Sequence, residues 1–259
     1  IGNGAIRKTV VWEGGWGLHL AALTHGATGH VWRSDILADE LAGGEFTLNW
    51  NGETFSARQA TALHGVQARA EGEAVTLQFN LRLFDLLDVA LVYRVHDTAA
   101  VIEQWVEVTP LQPGTLSRVA PLTVSVADLP SPVLHWARGL QGHGWHMPPA
   151  GPYPAYQMRH EPLGGVALQS GLRSTWHEIA WFALDGGERG HEGVPTDLHE
   201  GVRTEQDGRE REGREGLFAG LLYSGRWAAK AEANGAGAAL AIYSDGYAAP
   251  LAAGQRRRS

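Results

Sequence analysis

Twelve histidines stand in this chain, and His143-Gly-Trp-His146 sets two imidazoles three residues apart in a stretch rich in proline and glycine. A metal site needs a third donor and a fixed geometry. The nearest donors, His135 and His160 or Glu161, stand at no recognised spacing, so the pair reads as ordinary loop histidines and no metal or other cofactor is expected. Hydrolysis of a glycoside by general acid and base needs paired carboxylates. Asp39 with Glu40, Asp85 with Asp88, and Glu103 with Glu107 are the available pairs. Glu103, Trp105 and Glu107 alternate with Ile102, Gln104 and Val106, which puts the last pair on one strand face, and that face reads as solvated. No Gly-x-Ser-x-Gly elbow occurs, and Ser170-Gly171 lacks the rest of that pattern. No catalytic residue is assigned.

Ten tryptophans are the stronger oddity. Indole rings stack on the apolar faces of sugars, and they also fill the wide gap between large sheets. Packing accounts for most of them. Trp136, Trp145 and Trp176 lie in loop-like surroundings, and with Arg173 they are the candidates for touching a carbohydrate. The stretch Leu221-Leu-Tyr-Ser-Gly-Arg-Trp227 ends a strand-like run on Arg226 and Trp227, which serve either packing or binding.

The elements that must position these side chains are strands. Period-2 alternation, broken by Gly, Pro, Asn and Asp, predicts strands at residues 7–12, 16–23, 45–50, 74–81, 89–95, 101–108 and 117–126, and again at 166–169, 179–184, 217–223, 227–233 and 238–243. Asn51-Gly52 is a hairpin signal, since both central residues of a type I′ turn need positive φ. Residues 129–162, dense in Pro, Gly, His and aromatics, read as long loops over a sheet end. Residues 203–215 carry no apolar anchor and read as a surface loop. A short helix is expected at residues 34–41, capped by Ser34 or Asp35. So many strands with so few crossovers imply an all-β fold of two antiparallel sheets packed face to face.

Composition sets the limits. A chain of 259 residues accommodates one large all-β domain. The net charge of -7 is spread with both signs mixed, which argues against nucleic acid or an anionic membrane surface as partner. No cysteine is present, so no disulfide framework or zinc-thiolate site exists. No apolar run approaches the roughly 20 residues of a membrane span. Cytoplasm is the default location, and the start at Ile1-Gly-Asn-Gly leaves export open.

Three ordered segments resemble the N-terminal domain of the family 36 glycoside hydrolases, the alpha-galactosidases and their raffinose-acting relatives. They are residues 168–184, with Arg173-Ser-Thr-Trp-His177 leading to Ala180-Trp-Phe182 where Asn-Pro-Phe is usual; residues 217–227, similar to the family's Tyr-Ser-Gly-Asn strand with Arg226 in place of asparagine; and the paired runs 84–95 and 101–108. The resemblance covers most of the chain. It implies a β-supersandwich of the galactose-mutarotase type over residues 1–255. Residues 256–259 would begin the link to a catalytic (β/α)8 barrel, since Pro250-Leu-Ala-Ala-Gly-Gln255 is similar to the turn preceding that barrel. The family's Lys-Trp-Asp nucleophile strand and Ser-x-x-Asp acid segment have no counterpart here. The resemblance therefore implies a non-catalytic domain of a retaining hydrolase acting on alpha-galactoside oligosaccharides, in a homo-oligomer. Two alternatives are a freestanding carbohydrate-binding module using Trp136, Trp145, Arg173 and Trp176, and an aldose-epimerase-like enzyme with a histidine acid and glutamate base. The adjacent pairs His160-Glu161 and His177-Glu178 argue against the last, because neighbours on a strand face opposite ways.

Overall fold

The computed structural model describes residues 1–34, 44–127, 129, 131–138, 157–169, 178–186, 216–222, 226–234, 237–246 and 248–259. Along the chain the strands are β1 (Ile6–Glu13), β2 (Gly17–His25), β3 (Val31–Arg33), β4 (Thr47–Trp50), β5 (Glu53–Ser56), β6 (Ala62–Glu71) and β7 (Ala74–Leu83). Next come β8 (Leu87–His96), β9 (Ile102–Pro110), β10 (Gly114–Ala120), β11 (Leu122–Val126), β12 (Pro132–Arg138), β13 (Gln157–Pro162) and β14 (Val166–Gln169). The last are β15 (Glu178–Gly186), β16 (Gly216–Gly220), β17 (Trp227–Asn234), β18 (Gly237–Ser244), β19 (Ala249–Leu251) and β20 (Arg257–Arg258). One 3-10 turn, Ala57–Gln59, is the only helical element among the described residues.

The strands form five antiparallel ladders, ordered β1-β2-β3, β19-β10-β4-β5, β11-β18-β17-β14, β13-β12-β15-β16 and β20-β9-β8-β7-β6. Two cores lie between them. In the first, Leu48, Trp50 and Leu116 of the β4/β10 sheet meet Leu81, Leu83, Leu87, Leu91 and Val106 of the five-stranded sheet. In the second, Trp227, Ala229 and Leu240 of the β17/β18 sheet meet Leu134, Trp136, Phe182 and Leu184 of the β12/β15 sheet. Both are face-to-face sandwiches, each wide enough for indole rings. Leu18 and Leu20 of β2 enter the first and second core respectively, so this strand serves both. Each such fully buried side chain contributes about 1.5–3 kcal/mol.

The two cores are also joined by one run of chain. The single strand expected at residues 117–126 is corrected to two: only Pro121 separates β10 from β11, and the two pair in different sheets. A proline has no N–H for a ladder, so the run passes from one sheet to the next there. The Asn51-Gly52 turn is of the expected kind, with φ of 51° and 89°, and it places Trp50 opposite Glu53.

The reading of residues 129–162 as loops is corrected: β12 and β13 lie within it and pair from Val133↔Pro162 to Arg138↔Gln157. Proline is tolerated at the first position of a strand, where Pro132 stands, and Pro162 ends β13. Strand β6 was also not expected. Its sequence, Ala-Leu-His-Gly-Val-Gln-Ala-Arg-Ala-Glu, alternates only over residues 66–71 and there mostly with alanine, its residues are mostly exposed, and its place is set by pairing with β7 along nearly its whole length. The strand expected at 217–223 stops at Gly220, although the Leu221 N–H still donates to the Ala180 carbonyl at 2.8 Å. Apart from Ser34, the expected helix at 34–41 lies outside the described residues, as does the polar loop 203–215.

Candidate functional site

Strand β1 carries Lys8 on the same face as Val10 and Trp12, so its folding drives an amine toward an apolar core. The charge is met there. Lys8 Nζ lies 2.5 Å from Glu45 Oε2, with the side chains 3% and 0% exposed. The same carboxylate oxygen accepts from the Tyr93 hydroxyl at 2.5 Å. Lys8 Nζ also donates to Gln104 Oε1 at 2.7 Å and sits 4.8 Å from the centre of the Tyr93 ring. Gln104 Nε2 in turn donates to the Glu45 and Pro121 carbonyls at 2.7 and 2.6 Å. Burial, then the Glu45 charge and its hydrogen bond, hold the Tyr93 phenol well above its ordinary pKa of 10.0.

This group draws together β1, the residue leading into β4, β8 and β9. Its charges are sealed from solvent, which suits a structural tie and does not suit proton exchange with a substrate. Sequence reasoning passed over it, although a lysine on the apolar face of an alternating strand was the available signal. Such a residue requires a buried partner.

Of the sugar-contact candidates, Trp136 is described. It stands on β12, not in a loop, and is 7% exposed within the second core. Trp145, Arg173 and Trp176 lie outside the described residues. So do His143 and His146. The two histidines weighed as further donors do meet: His135 and His160 pair across β12 and β13, with ring centroids 6.1 Å apart, and His135 Nε2 lies 3.2 Å from Asp185 Oδ2. No cluster of three His or acidic residues able to hold a metal occurs among the described residues.

Three carboxylates of the expected pairs, Asp88, Glu103 and Glu107, are engaged by neighbouring side chains. Asp88 is bound by Arg82 at 2.6 Å, Glu103 by His96 at 3.1 Å, and Glu107 by the Trp105 indole N–H at 3.0 Å and by Arg256. Asp39 and Glu40 lie outside the described residues. Trp227 is fully buried in the second core, while Arg226 pairs with Asp245 at 3.3 Å near the surface. Trp227 therefore packs, and Arg226 makes a half-exposed ion pair.

A groove of about 930 Å3 is lined by β9 and β16, together with residues of β1, β2, β3, β10, β11, β15, β18 and β20. The Lys8–Gln104 group borders it, and Val101, Trp181, Phe218 and Leu222 line its apolar length. Glu103 is the one carboxylate among its described lining residues. Retaining glycoside hydrolysis needs two, about 5 Å apart, and the described lining residues do not supply that pair.

No family model matches the chain, and no curated protein sequence does. Solved structures do match. The galactosidase domain of the alpha-galactosidase-sucrose kinase AgaSK superposes with a TM-score of 0.64 at 13% identity, over 99% of this chain and 38% of its own. The GH36 alpha-galactosidase AgaB from Geobacillus stearothermophilus gives 0.64 at 15% identity, with the same coverage of 99% and 38%. A variant of AgaA from the same organism, in complex with raffinose, gives 0.56 at 15% identity, over 97% of this chain and 39% of its own. The chain has the fold of the N-terminal region of the GH36 alpha-galactosidases. It spans about 38% of the length of the structures it matches. At these identities the likeness concerns the fold. The all-β sandwich expected from alternation is thus also the architecture of a segment within the GH36 enzymes. Among the described residues no helix is long and apolar enough to cross a membrane.

Proposed function

We propose that residues 1–255 are the N-terminal, non-catalytic domain of an alpha-galactosidase-like retaining glycoside hydrolase that releases terminal alpha-galactose from oligosaccharides. The observation that supports this reading is the match of 99% of the chain to 38% of GH36 alpha-galactosidases. The pairing of Asp88, Glu103 and Glu107 with neighbouring side chains agrees with it, because a scaffold has no need of a free acid and base. In this reading the hydrolysis is carried by two aspartates of a following (β/α)8 barrel, one attacking the anomeric carbon and the other protonating the leaving oxygen. The raffinose held by the AgaA variant suggests a short alpha-galactoside as substrate and homo-oligomerisation is part of the proposal. Trp145, Arg173 and Trp176 are the residues to test for sugar contact within it.

The source gene provides the test. Its coding sequence past Ser259 should specify a barrel with a Lys-Trp-Asp strand and a Ser-x-x-Asp segment, and its product should cleave raffinose. A gene product without such a barrel would refute the proposal.

A further inference from the structure

We propose that the groove between β9 and β16 is a slot for one more β-strand, and that its occupant is a stretch of the same polypeptide continuing β20 antiparallel to β9. This rests on the reading that the chain is the first part of a longer enzyme. It adds how the sandwich and the rest of that enzyme are joined.

The register supports the proposal. β20 pairs Arg257↔Val108 and Arg258↔Glu107. Ser259 extends the ladder by one residue, since its N–H donates to the Val106 carbonyl at 2.9 Å and its Oγ accepts from the Val106 N–H at 3.0 Å. Arg258 also lies over the Trp105 ring at 4.1 Å, and Arg256 binds Glu107. The residues expected to begin a link are thus already part of the sheet. Beyond Val106, no described strand pairs with the outer edge of β9, and none pairs with the outer edge of β16.

Hydrogen-bonded pairs alternate along an antiparallel ladder. Ser259 and Val106 are one such pair, so the next outward-facing positions of β9 are Gln104 and Ile102. A strand leaving Ser259 in line meets them with its second and fourth residues.

Size and chemistry agree. An extended residue in a two-layer sandwich takes about 160 Å3, from a strand spacing of about 4.8 Å, a sheet spacing of about 10 Å and a rise of about 3.3 Å. The groove of about 930 Å3 holds roughly six residues on that measure. Its walls include Phe218 and Leu222, which are 71% and 96% exposed. Large apolar side chains beside two strand edges that no described strand covers are what native sheets normally cover. The incoming strand would have its second and fourth residues facing the core, beside the Lys8–Gln104 group, and its first and third facing outward beside Trp105 and Glu103.

Residues 1–259 hold no cysteine, so once any cysteine of the remaining product is replaced by serine a disulfide reads this register without background. Glu103 would face the third residue after Ser259 in a non-hydrogen-bonded pair, with Cα atoms about 4.5 Å apart, within the range a disulfide spans. In the full gene product, Glu103→Cys combined with a cysteine at the third residue after Ser259 should crosslink most chains internally under mild oxidation. A cysteine at the second or fourth residue should leave both thiols free. The Gln104 and Ile102 amides should also exchange with solvent more slowly in the full product than in residues 1–259. Equal crosslinking at all three positions, none at any, or a crosslinked dimer of two copies overturns the inference, and so does unchanged exchange. A gene product with the barrel and raffinose cleavage but no crosslink sinks this inference alone. Absence of the barrel sinks the proposed function and this inference with it.

Discussion

Removing one partner of the buried Lys8–Glu45 pair should destabilise the fold far more than removing both. The side chains are 3% and 0% exposed and 2.5 Å apart, so Lys8→Met strands a carboxylate in the core with only the Tyr93 hydroxyl to answer it. Glu45→Gln strands the ammonium beside Gln104 in the same way. Breaking such a pair costs about 3–5 kcal/mol, and for a chain of this size each kcal/mol lowers Tm by about 2–4 °C. Each single variant should therefore melt roughly 10 °C lower. In the double variant, Gln at position 45 still accepts from Tyr93 and no bare charge remains. The residual cost is the lost donor to Gln104, about 1–3 kcal/mol. Urea unfolding followed by tryptophan fluorescence gives the cycle, with coupling of at least about 2 kcal/mol expected. Additive effects, or single variants costing under about 1 kcal/mol, would refute the claim that these charges are buried and mutually dependent.

Alkaline pH should weaken the fold through Tyr93. Its folded pKa is raised above 10.0, so its contribution is fully present below pH 10 and is lost as pH rises toward the folded value, because the unfolded chain releases the proton first. Tyr93→Phe should remove up to about 1.4 kcal/mol per pH unit of that decline in urea titrations above pH 10; an unchanged slope contradicts the assignment. Trp227→Ala should cost about 3–5 kcal/mol by emptying the second core, whereas Arg226→Ala should cost under about 1 kcal/mol as a half-exposed ion pair. Thermal melts showing the opposite order would mean that Arg226, and not Trp227, anchors this strand.

Alternation made the sandwich legible wherever one strand face is apolar, as in β7, β8 and β18. It failed where pairing and not pattern decides: β6 has mostly exposed residues and is fixed by its neighbour β7, and β12 hides behind Pro132. The buried tie was partly legible. Lys8 on an apolar face announces that a counter-charge is needed, but nothing local to Glu45 says that it is the one, since the two meet only when separate sheets stack. The same holds for His135 and His160, whose pairing depends on a register no spacing rule reveals. Trp227 was ambiguous in sequence because a strand-end indole suits a sugar as well as a core. The stacked β17 and β15 decide it.

In the function proposed above, this sandwich supports alpha-galactoside hydrolysis without performing it. Turnover of p-nitrophenyl-alpha-galactoside by purified residues 1–259, measured beside the full gene product at equal molarity, decides between the two roles. The full product should hydrolyse this galactoside, and residues 1–259 should show no hydrolysis above the buffer rate. Hydrolysis by residues 1–259 alone, abolished by substituting one of its own carboxylates, would contradict the proposed function.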